Sequence, residues 1–347
     1  MTCKPASVWR RLWPVIVSAV TLALILACNG DDPPVGPDPV ENYVVYFSDA
    51  SYGDRYFRYF TASQRVDTVT IPYSAWDGMA VSADGKLLYL SDNDKTVVLT
   101  TDSQEFVTEI LYQGRITASP DNRWVAVFGP DTRILSATDY ATVFHDSITT
   151  YYGVFSRDSE RLYCVGGPGV VLIDLSTTPP MRSTSPFDYT VRWVEPSPDE
   201  RHWFLYRLVP GVWSYDMLVH DTQVDSVVFN RLLVPGGGHL RVEPTGRYVF
   251  FTNPGTLLQG PPADPFVFVY DIRQNEVVDS IYTPSTGGRS MTPRLLAITP
   301  DGRKLIAVGA RGQGEFSVID VATREVVEHY DLGNTVDFWD VACQNGK

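Results

Sequence analysis

A segment of roughly 40 residues near the C-terminus recurs, in weaker copies, along most of this chain. Its clearest copy is Arg294–Leu332, in which short β-rich runs flank the tight turn sequence Pro300-Asp301-Gly302-Arg303. Two such runs joined by a Gly-containing turn predict an antiparallel hairpin, and two more runs follow. The four predicted strands are Leu296–Thr299, Lys304–Val308, Phe316–Val321 and Val326–Leu332.

Each copy has a residue at the position of Asp301, which we call its anchor, so the number of anchors equals the number of copies. The seven anchors are Asp84, Asp121, Asp158, Asp199, Thr245, Asp301 and Asn345, at intervals of 37, 37, 41, 46, 56 and 44 residues. Four antiparallel strands in about 40 residues form one blade of a β-propeller. The sequence therefore predicts an all-β protein, a seven-bladed β-propeller of four-stranded antiparallel blades.

The two ends of the repeat array are incomplete in complementary ways. The last copy, Asp340–Lys347, begins a blade and stops, whereas the first copy is expected to begin at its second strand, near Tyr43. We expect the C-terminal strand to complete the N-terminal blade as its innermost strand. Such pairing closes the ring and removes two exposed sheet edges.

Several copies resemble a known family of repeats. The segments SADGKLLYLSD, SRDSERLYCVG with VLIDLST, and TPDGRKLIAVG with SVIDVATREVV are similar to the repeats of YVTN-type β-propellers. The resemblance extends from Tyr43 to the C-terminus and implies a propeller fold. It implies no particular function, because propellers of this kind serve binding, scaffolding and enzymatic roles.

The N-terminal segment has the features of a targeting signal. Lys4, Arg10 and Arg11 precede the apolar run Leu12–Ala27, which is short for a membrane span. The run ends in Ile25-Leu26-Ala27-Cys28, which resembles the lipobox of bacterial lipoproteins. That resemblance implies cleavage before Cys28 and lipidation of Cys28; the alternative is an ordinary secretory signal with a chance cysteine.

The expected domains follow from this signal. Residues 1–27 form the lipoprotein signal peptide, which is removed, and residues 28–41 form a lipidated Cys and a Pro/Asp-rich tether with too few apolar residues to fold. Residues 42–347 form the seven-bladed propeller. The expected location is the bacterial cell envelope, where the protein is lipid-anchored on the extracytoplasmic side, periplasmic or at the cell surface.

The charge balance restricts the partners. The chain has 28 basic and 41 acidic residues, for a net charge of −13, so nucleic acid is not expected as a partner. We expect membrane contact through the lipid anchor, together with an envelope protein or a small ligand. In the folded part, Cys164 and Cys343 are predicted on opposite sides of the ring, as two buried thiols without a disulfide.

Motifs for known chemistries are missing from the sequence. It contains no HExxH, GxSxG, P-loop or CxxC motif, and no two of its five histidines have metal-ligand spacing. The sequence therefore predicts no catalytic residues, no metal and no cofactor.

The innermost strands, taken in register from the anchors, predict where a binding site would lie. The residues three and five positions before each anchor are mostly apolar and are expected to pack between blades, so the alternate residues face the central channel. At one channel level this set includes Ser82, Ser119, Ser156, Ser197, Glu243 and Thr299. At the level above, Glu195 and Arg241 come from neighbouring blades and are expected to pair.

Arginine and aromatic residues cluster at the end of the channel where these strands begin, which we call the mouth. Such a rim offers hydrogen bonds to carboxylates or phosphates and flat faces to rings. The alternative is that large residues merely plug the channel. The predicted ligand-binding residues are Arg115, Tyr152, Arg192, Trp193, His239, Arg294 and Trp339.

Loop lengths favour the same face, because long loops on a rigid scaffold are where binding usually resides. The extended segments are Leu232–His239, Gly255–Pro265 and Pro284–Pro293. We therefore expect a non-catalytic protein that binds a ligand or protein partner at the mouth. The alternatives are a metal-assisted hydrolase or lactonase-like propeller enzyme, and a purely structural envelope protein.

Overall fold

In the computed structural model, 27 β-strands and no helix are found among the described residues. The structure describes residues 42–51, 53–72, 78–92, 94–166, 168–209, 215–232, 238–253, 265–285, 291–310 and 312–343. None of these residues belongs to a helix that is long and apolar enough to cross a membrane. The predicted signal peptide and tether lie outside the described ranges.

The strands form seven blades of four antiparallel strands, which confirms the predicted fold class. Blade one consists of β27 (Phe338–Cys343), β1 (Val44–Asp49), β2 (Arg55–Phe60) and β3 (Arg65–Thr70). Blade two consists of β4 (Gly78–Val81), β5 (Leu87–Ser91), β6 (Thr96–Thr100) and β7 (Phe106–Ile110). Blade three consists of β8 (Arg115–Ala118), β9 (Trp124–Phe128), β10 (Thr132–Ser136) and β11 (Thr142–Asp146).

The remaining four blades follow in chain order. Blade four consists of β12 (Tyr152–Phe155), β13 (Arg161–Val165), β14 (Pro168–Asp174) and the first part of β15 (Met181–Pro196). Blade five consists of the last part of β15, β16 (His202–Leu208), β17 (Tyr215–Asp221) and β18 (Ser226–Leu232). Blade six consists of β19 (Leu240–Val242), β20 (Tyr248–Thr252), β21 (Phe266–Asp271) and β22 (Glu276–Tyr282), and blade seven of β23 (Pro293–Ile298), β24 (Lys304–Gly309), β25 (Glu315–Asp320) and β26 (Glu325–Asp331).

The ring closes through the C-terminal strand, as predicted. β27 pairs antiparallel with β1, with Val45 opposite Cys343 and Phe47 opposite Val341. Phe338 is fully buried at this seam, and its ring centroid lies 5.4 Å from that of Phe47. The closure is therefore held by backbone pairing and by an aromatic core.

Blades four and five are joined in a way that the repeat pattern does not predict. β15 is a single strand of 16 residues that pairs with β14 at Met181–Ser185 and at Thr190, and with β16 at Val191–Pro196. The sequence between these two parts has no glycine to turn the chain. One continuous strand thus serves as the outer strand of one blade and the inner strand of the next.

The hydroxyl residues two positions before the anchors were expected to face the channel, and this was wrong. Thr299 shows why: its hydroxyl donates to the Asp301 carboxylate at 2.6 Å and accepts the Lys304 N–H at 2.9 Å. These bonds tie the turn to the start of the second strand. The hydroxyls of Ser82, Ser119, Ser156 and Ser197 make the same pair of contacts in their own blades.

Candidate functional site

A cavity of about 600 Å³ opens at the mouth, and the seven residues that the sequence analysis selected all line it. The inner strands begin at this end, so residues six or seven positions before each anchor meet there. No Asp or Glu belongs to the described lining, although the protein has a net charge of −13. The lining includes Arg115 from blade three, Tyr152 from blade four, Arg192 and Trp193 from blade five, His239 from blade six, Arg294 from blade seven and Trp339 from blade one.

Other lining residues come from outside the inner strands, so counting from the anchors could not find them. Tyr206 and Tyr215 belong to the second and third strands of blade five, and Gln113 and Thr150 precede the inner strands. Phe338, in contrast, lies next to Trp339 in sequence but is buried in the blade-one core. The tertiary structure thus adds residues to the predicted lining of the mouth cavity.

Three aromatic side chains close the base of the cavity. The Tyr152 and Trp193 rings stack with centroids 3.6 Å apart at 18°, and the His239 ring lies 4.0 Å from Trp193. The Arg241 guanidinium carbon is 5.6 Å from the Trp193 ring centre. Trp193 is only 7% exposed, so it has little surface left for the ligand stacking that the sequence analysis expected of it.

The exposed rim carries arginines held against rings. The Arg192 guanidinium lies 4.8 Å from the Tyr151 ring centre, and the Arg294 guanidinium lies 5.4 Å from that of Trp339. Tyr151 is 46% exposed. Contacts of this kind hold a guanidinium by its face, so that any hydrogen bonds form at its N–H edges.

His239 is a neutral member of the cavity wall. It is 2% exposed, and its Nδ1 accepts the Leu296 N–H at 3.2 Å, which places the imidazole proton on Nε2. Burial, together with the nearby charges of Arg241 and Arg115, lowers the pKa of His239 well below its usual value. The imidazole therefore stays uncharged at neutral pH.

A second cavity of about 220 Å³ lies in the channel and shares Arg115, Phe128, Tyr152 and Trp193 with the mouth cavity. In it, Arg241 Nη1 donates to Glu195 at 2.9 Å and to the Tyr152 hydroxyl at 3.2 Å. Burial raises the pKa of Glu195 and Arg241 opposes that shift. Glu195 and Arg241, which the sequence placed at one level in neighbouring blades, thus form a partly buried ion pair.

The acids of the channel differ from those expected. Asp340 lines the channel cavity, where its carboxylate accepts the Met79 N–H at 3.0 Å. Burial raises the pKa of Asp340, against the opposing charge of Arg115. Glu243, which was expected on the wall, is instead buried at the anchor turn, where it accepts a hydrogen bond from Thr245 at 2.5 Å. Its position in the strand predicted that it would face the channel, but its carboxylate is bound within the anchor turn instead.

Three further predictions concern the cysteines, metal binding and the extended mouth-side segments. Cys164 is buried and Cys343 is partly buried, and both are free. Within the described ranges, no group of three or more His, Cys, Asp or Glu side chains is placed to hold a metal ion. Cys28 and most of the three extended mouth-side segments lie outside the described residues.

Comparisons with known proteins identify the architecture. Neither a protein-family profile nor a curated protein matches the sequence. Among solved structures, a Lactobacillus plantarum protein matches with TM-score 0.64 and 13% identity over 87% of this chain and 99% of that one. The β-propeller domain of Cps50 (Swd1) from Myceliophteria thermophila matches with TM-score 0.60 and 9% identity over 76% of this chain and 89% of that one.

An enzyme is also among the structural matches. The dihydro-heme d1 dehydrogenase NirN, solved in complex with DHE, matches with TM-score 0.60 and 17% identity over 91% of this chain and 78% of that one. At such low sequence identity, structural similarity shows a shared fold but not a shared activity. They show that this chain has the β-propeller fold.

Proposed function

We propose that this protein is a lipid-anchored, extracytoplasmic β-propeller that binds an anionic ligand at the mouth and performs no chemistry on it. The observation that carries the proposal is the mouth cavity of about 600 Å³, which has three arginines and no acidic residue in its described lining. Its volume falls in the range of about 300–1,000 Å³ that is typical of small-molecule sites.

The bonding state of two of the rim arginines, Arg115 and Arg192, supports an anion. No carboxylate of the described residues lies within ion-pair distance of Arg115 or Arg192, and Arg192 Nε is buried without a hydrogen-bond partner in the described chain. A buried donor without a partner is costly, and a charged donor more so. A carboxylate or phosphate in the cavity would supply the acceptor.

The enzyme alternative is less well supported by the channel. A metal-assisted hydrolase or lactonase-like enzyme needs several carboxylates or imidazoles that converge on one point. Glu195 already binds Arg241, and Asp340 accepts backbone N–H groups from Met79 and Val341. A purely structural role would leave the cavity and its arginines without use.

Attachment to the membrane and kinship with YVTN-type repeats belong to the same proposal, and they rest on sequence. The segment Ile25-Leu26-Ala27-Cys28 resembles a lipobox, and the repeats from Tyr43 onward resemble the YVTN pattern. Lipidation of Cys28 would hold the protein at an extracytoplasmic membrane surface. Its partners would be this membrane and an envelope protein or small ligand.

Calorimetric titration with organic anions tests the binding proposal. Mono-, di- and tricarboxylates and phosphate monoesters are titrated beside their neutral amide or alcohol analogues. We expect one or more anions to bind at least about tenfold more tightly than the neutral analogue, as charge-assisted hydrogen bonds provide. If every anion binds no better than its analogue, the mouth is not an anion site.

The anchor is tested by Cys28→Ser. Only the thiol accepts the diacylglyceryl group, so the variant should move from the detergent phase to the aqueous phase and lose the mass of the lipid. Cys3→Ser is the matched control, because Cys3 lies in the segment that is removed. An unchanged partition and mass for Cys28→Ser would rule out lipidation at this residue.

A further inference from the structure

We infer that the ligand of the mouth is an apolar ring that bears one carboxylate, that Arg192 binds this carboxylate, and that the exposed aromatic side chains of the rim contact the ring. This inference rests on the proposed function, because it requires that the mouth binds an anion. It adds the number of anionic groups, the residue that binds the anionic group and the chemistry of the rest of the ligand.

Arg192 has an unpaired donor and a fixed position. Its Nε is buried and has no hydrogen-bond partner in the described chain, and its guanidinium lies 4.8 Å from the ring centre of Tyr151. A guanidinium that a ring holds by its face loses less conformational freedom when it binds a ligand. A carboxylate in the cavity would accept hydrogen bonds from Arg192 and so remove the cost of the unpaired donor.

The charges around the two cavities favour a single anionic group. Arg115 lines the channel cavity as well as the mouth cavity, and its charge acts there on Asp340. Arg241 is paired with Glu195 at 2.9 Å. We therefore assign the anionic group to Arg192, which carries one positive charge. A carboxylate matches this charge, whereas a phosphate monoester carries about −1.5 to −2 at neutral pH.

The polar groups of the lining favour an apolar body over a sugar. The Thr150 hydroxyl shares a hydrogen bond of 2.6 Å with that of Thr132, and the Tyr206 hydroxyl donates to a backbone carbonyl at 2.9 Å. The Tyr152 hydroxyl accepts a hydrogen bond from Arg241 at 3.2 Å. A sugar brings many donors and acceptors, which are costly to bury without partners. A ligand body without hydroxyls avoids this cost.

Aromatic side chains that keep exposed surface supply the contacts for such a body. Tyr151, Tyr215 and Trp339 line the mouth cavity, and none of them is buried; Tyr151 is 46% exposed. Aromatic rings pack well against one another in offset-stacked or edge-to-face arrangements. A ligand ring can therefore contact this rim while its carboxylate reaches Arg192, since Arg192 lies against Tyr151.

Calorimetric titration of the full chain with four matched probes tests the ligand class. Phenylacetate carries the ring and the carboxylate, acetate lacks the ring, phenylacetamide lacks the charge, and glucuronate carries its carboxylate on a polar ring. Phenylacetate should bind at least about tenfold more tightly than acetate, because its ring is removed from water. It should also bind about tenfold more tightly than phenylacetamide. Glucuronate should bind no better than acetate.

Arg192→Gln tests the residue assigned to the carboxylate. It should weaken phenylacetate about tenfold, to near the wild-type affinity for phenylacetamide, and leave phenylacetamide unchanged. Arg115→Gln, at the same rim, should weaken phenylacetate less than Arg192→Gln does. Arg273→Gln, on the exposed turn between β21 and β22, is the matched control and should bind as the wild type does. Melting temperatures of all variants show whether a loss of binding comes from unfolding.

Two further measurements test the ring contact and the carboxylate. Tyr151→Ala should weaken phenylacetamide about fivefold, as the loss of one aromatic contact provides. Because this probe is uncharged, such a loss does not come from a displaced Arg192. Phenyl phosphate, which replaces the carboxylate by a phosphate, should bind no more tightly than phenylacetate.

The outcomes separate this inference from the proposed function. If phenylacetate binds no better than acetate, if glucuronate matches it, or if Tyr151→Ala leaves phenylacetamide unchanged, the ring-bearing ligand is wrong while anion binding stands. If phenyl phosphate binds far more tightly than phenylacetate, the carboxylate is wrong. If Arg192→Gln leaves phenylacetate unchanged, or Arg115→Gln weakens it as much, the assignment to Arg192 is wrong. If no anion binds more tightly than its neutral analogue, the proposed function fails as well.

Discussion

At the scale of single residues, Trp193 illustrates how neighbours decide a role. Its position six residues before Asp199 brings it to the mouth, but Tyr152, His239 and Arg241 cover its ring. A tryptophan packed on both sides seals the channel instead of offering a face to a ligand. The free ring surface of the rim belongs to residues such as Tyr151, which is 46% exposed.

Replacing Trp193 by alanine should therefore destabilise the protein. We expect a loss of about 3–5 kcal/mol in the free energy of unfolding, comparable with the about 2–5 kcal/mol expected for Leu296→Ala in the blade core. Tyr151→Ala, at the exposed rim, should cost less than about 1 kcal/mol. Urea denaturation of the three variants measures these values. Wild-type stability for Trp193→Ala would show that Trp193 does not seal the channel.

At the scale of the structural element, the anchor turn explains why the repeat is recognisable. The turn needs a left-handed residue after the anchor, and glycine takes this position at Gly85 and Gly302, with φ near 70°. Asn122, Ser159 and Glu200 take it in other blades, with φ of 62°, 63° and 57°. The hydroxyl before the anchor then bonds both the anchor and the next strand, so the turn, and not the channel, accounts for the Ser or Thr in the pattern.

Thr299→Val tests this role with a side chain of the same shape. The change removes the acceptor of the Lys304 N–H and the donor to Asp301, so unfolding free energy should fall by about 1–3 kcal/mol. Thr323→Val, in the exposed turn between β25 and β26, is the control and should change stability by less than about 0.5 kcal/mol. Equal effects in chemical denaturation would contradict the turn assignment.

At the scale of the whole molecule, closure depends on a contact between the two ends of the described chain. Val45 of β1 lies opposite Cys343 of β27. Opposed residues of antiparallel strands have Cα atoms about 4.5–5.5 Å apart, which is within the range that a disulfide spans. A single substitution therefore places a second thiol opposite an existing one.

Val45→Cys, in a Cys28→Ser background, should form a disulfide with Cys343 and raise the melting temperature. Burial raises the pKa of the Cys343 thiol to about 12, so little thiolate is present at neutral pH and a copper–phenanthroline catalyst is needed. Val44→Cys, which lies opposite Phe60, is the control and should not cross-link. Mass spectrometry without a cross-link in Val45→Cys would contradict the register of the closing strand.

The sequence by itself determined the blade count, the closing strand and the residues that meet at the mouth. These features depend on period, since a fixed interval from each anchor places residues at one height in every blade. For the residues two positions before the anchors, the same counting predicted channel-facing side chains and was wrong. The Ser and Thr hydroxyls and the Glu243 carboxylate form hydrogen bonds within the anchor turn instead.

Only the tertiary structure decided which mouth residues remain accessible and which seal the channel. It also added Tyr206 to the mouth cavity and joined blades four and five through β15. The physical reason is that accessibility, ion pairing and pKa depend on which side chains from different blades meet in space. A repeat pattern predicts the height of a residue within its own blade. It does not predict which side chains of other blades contact that residue and bury it.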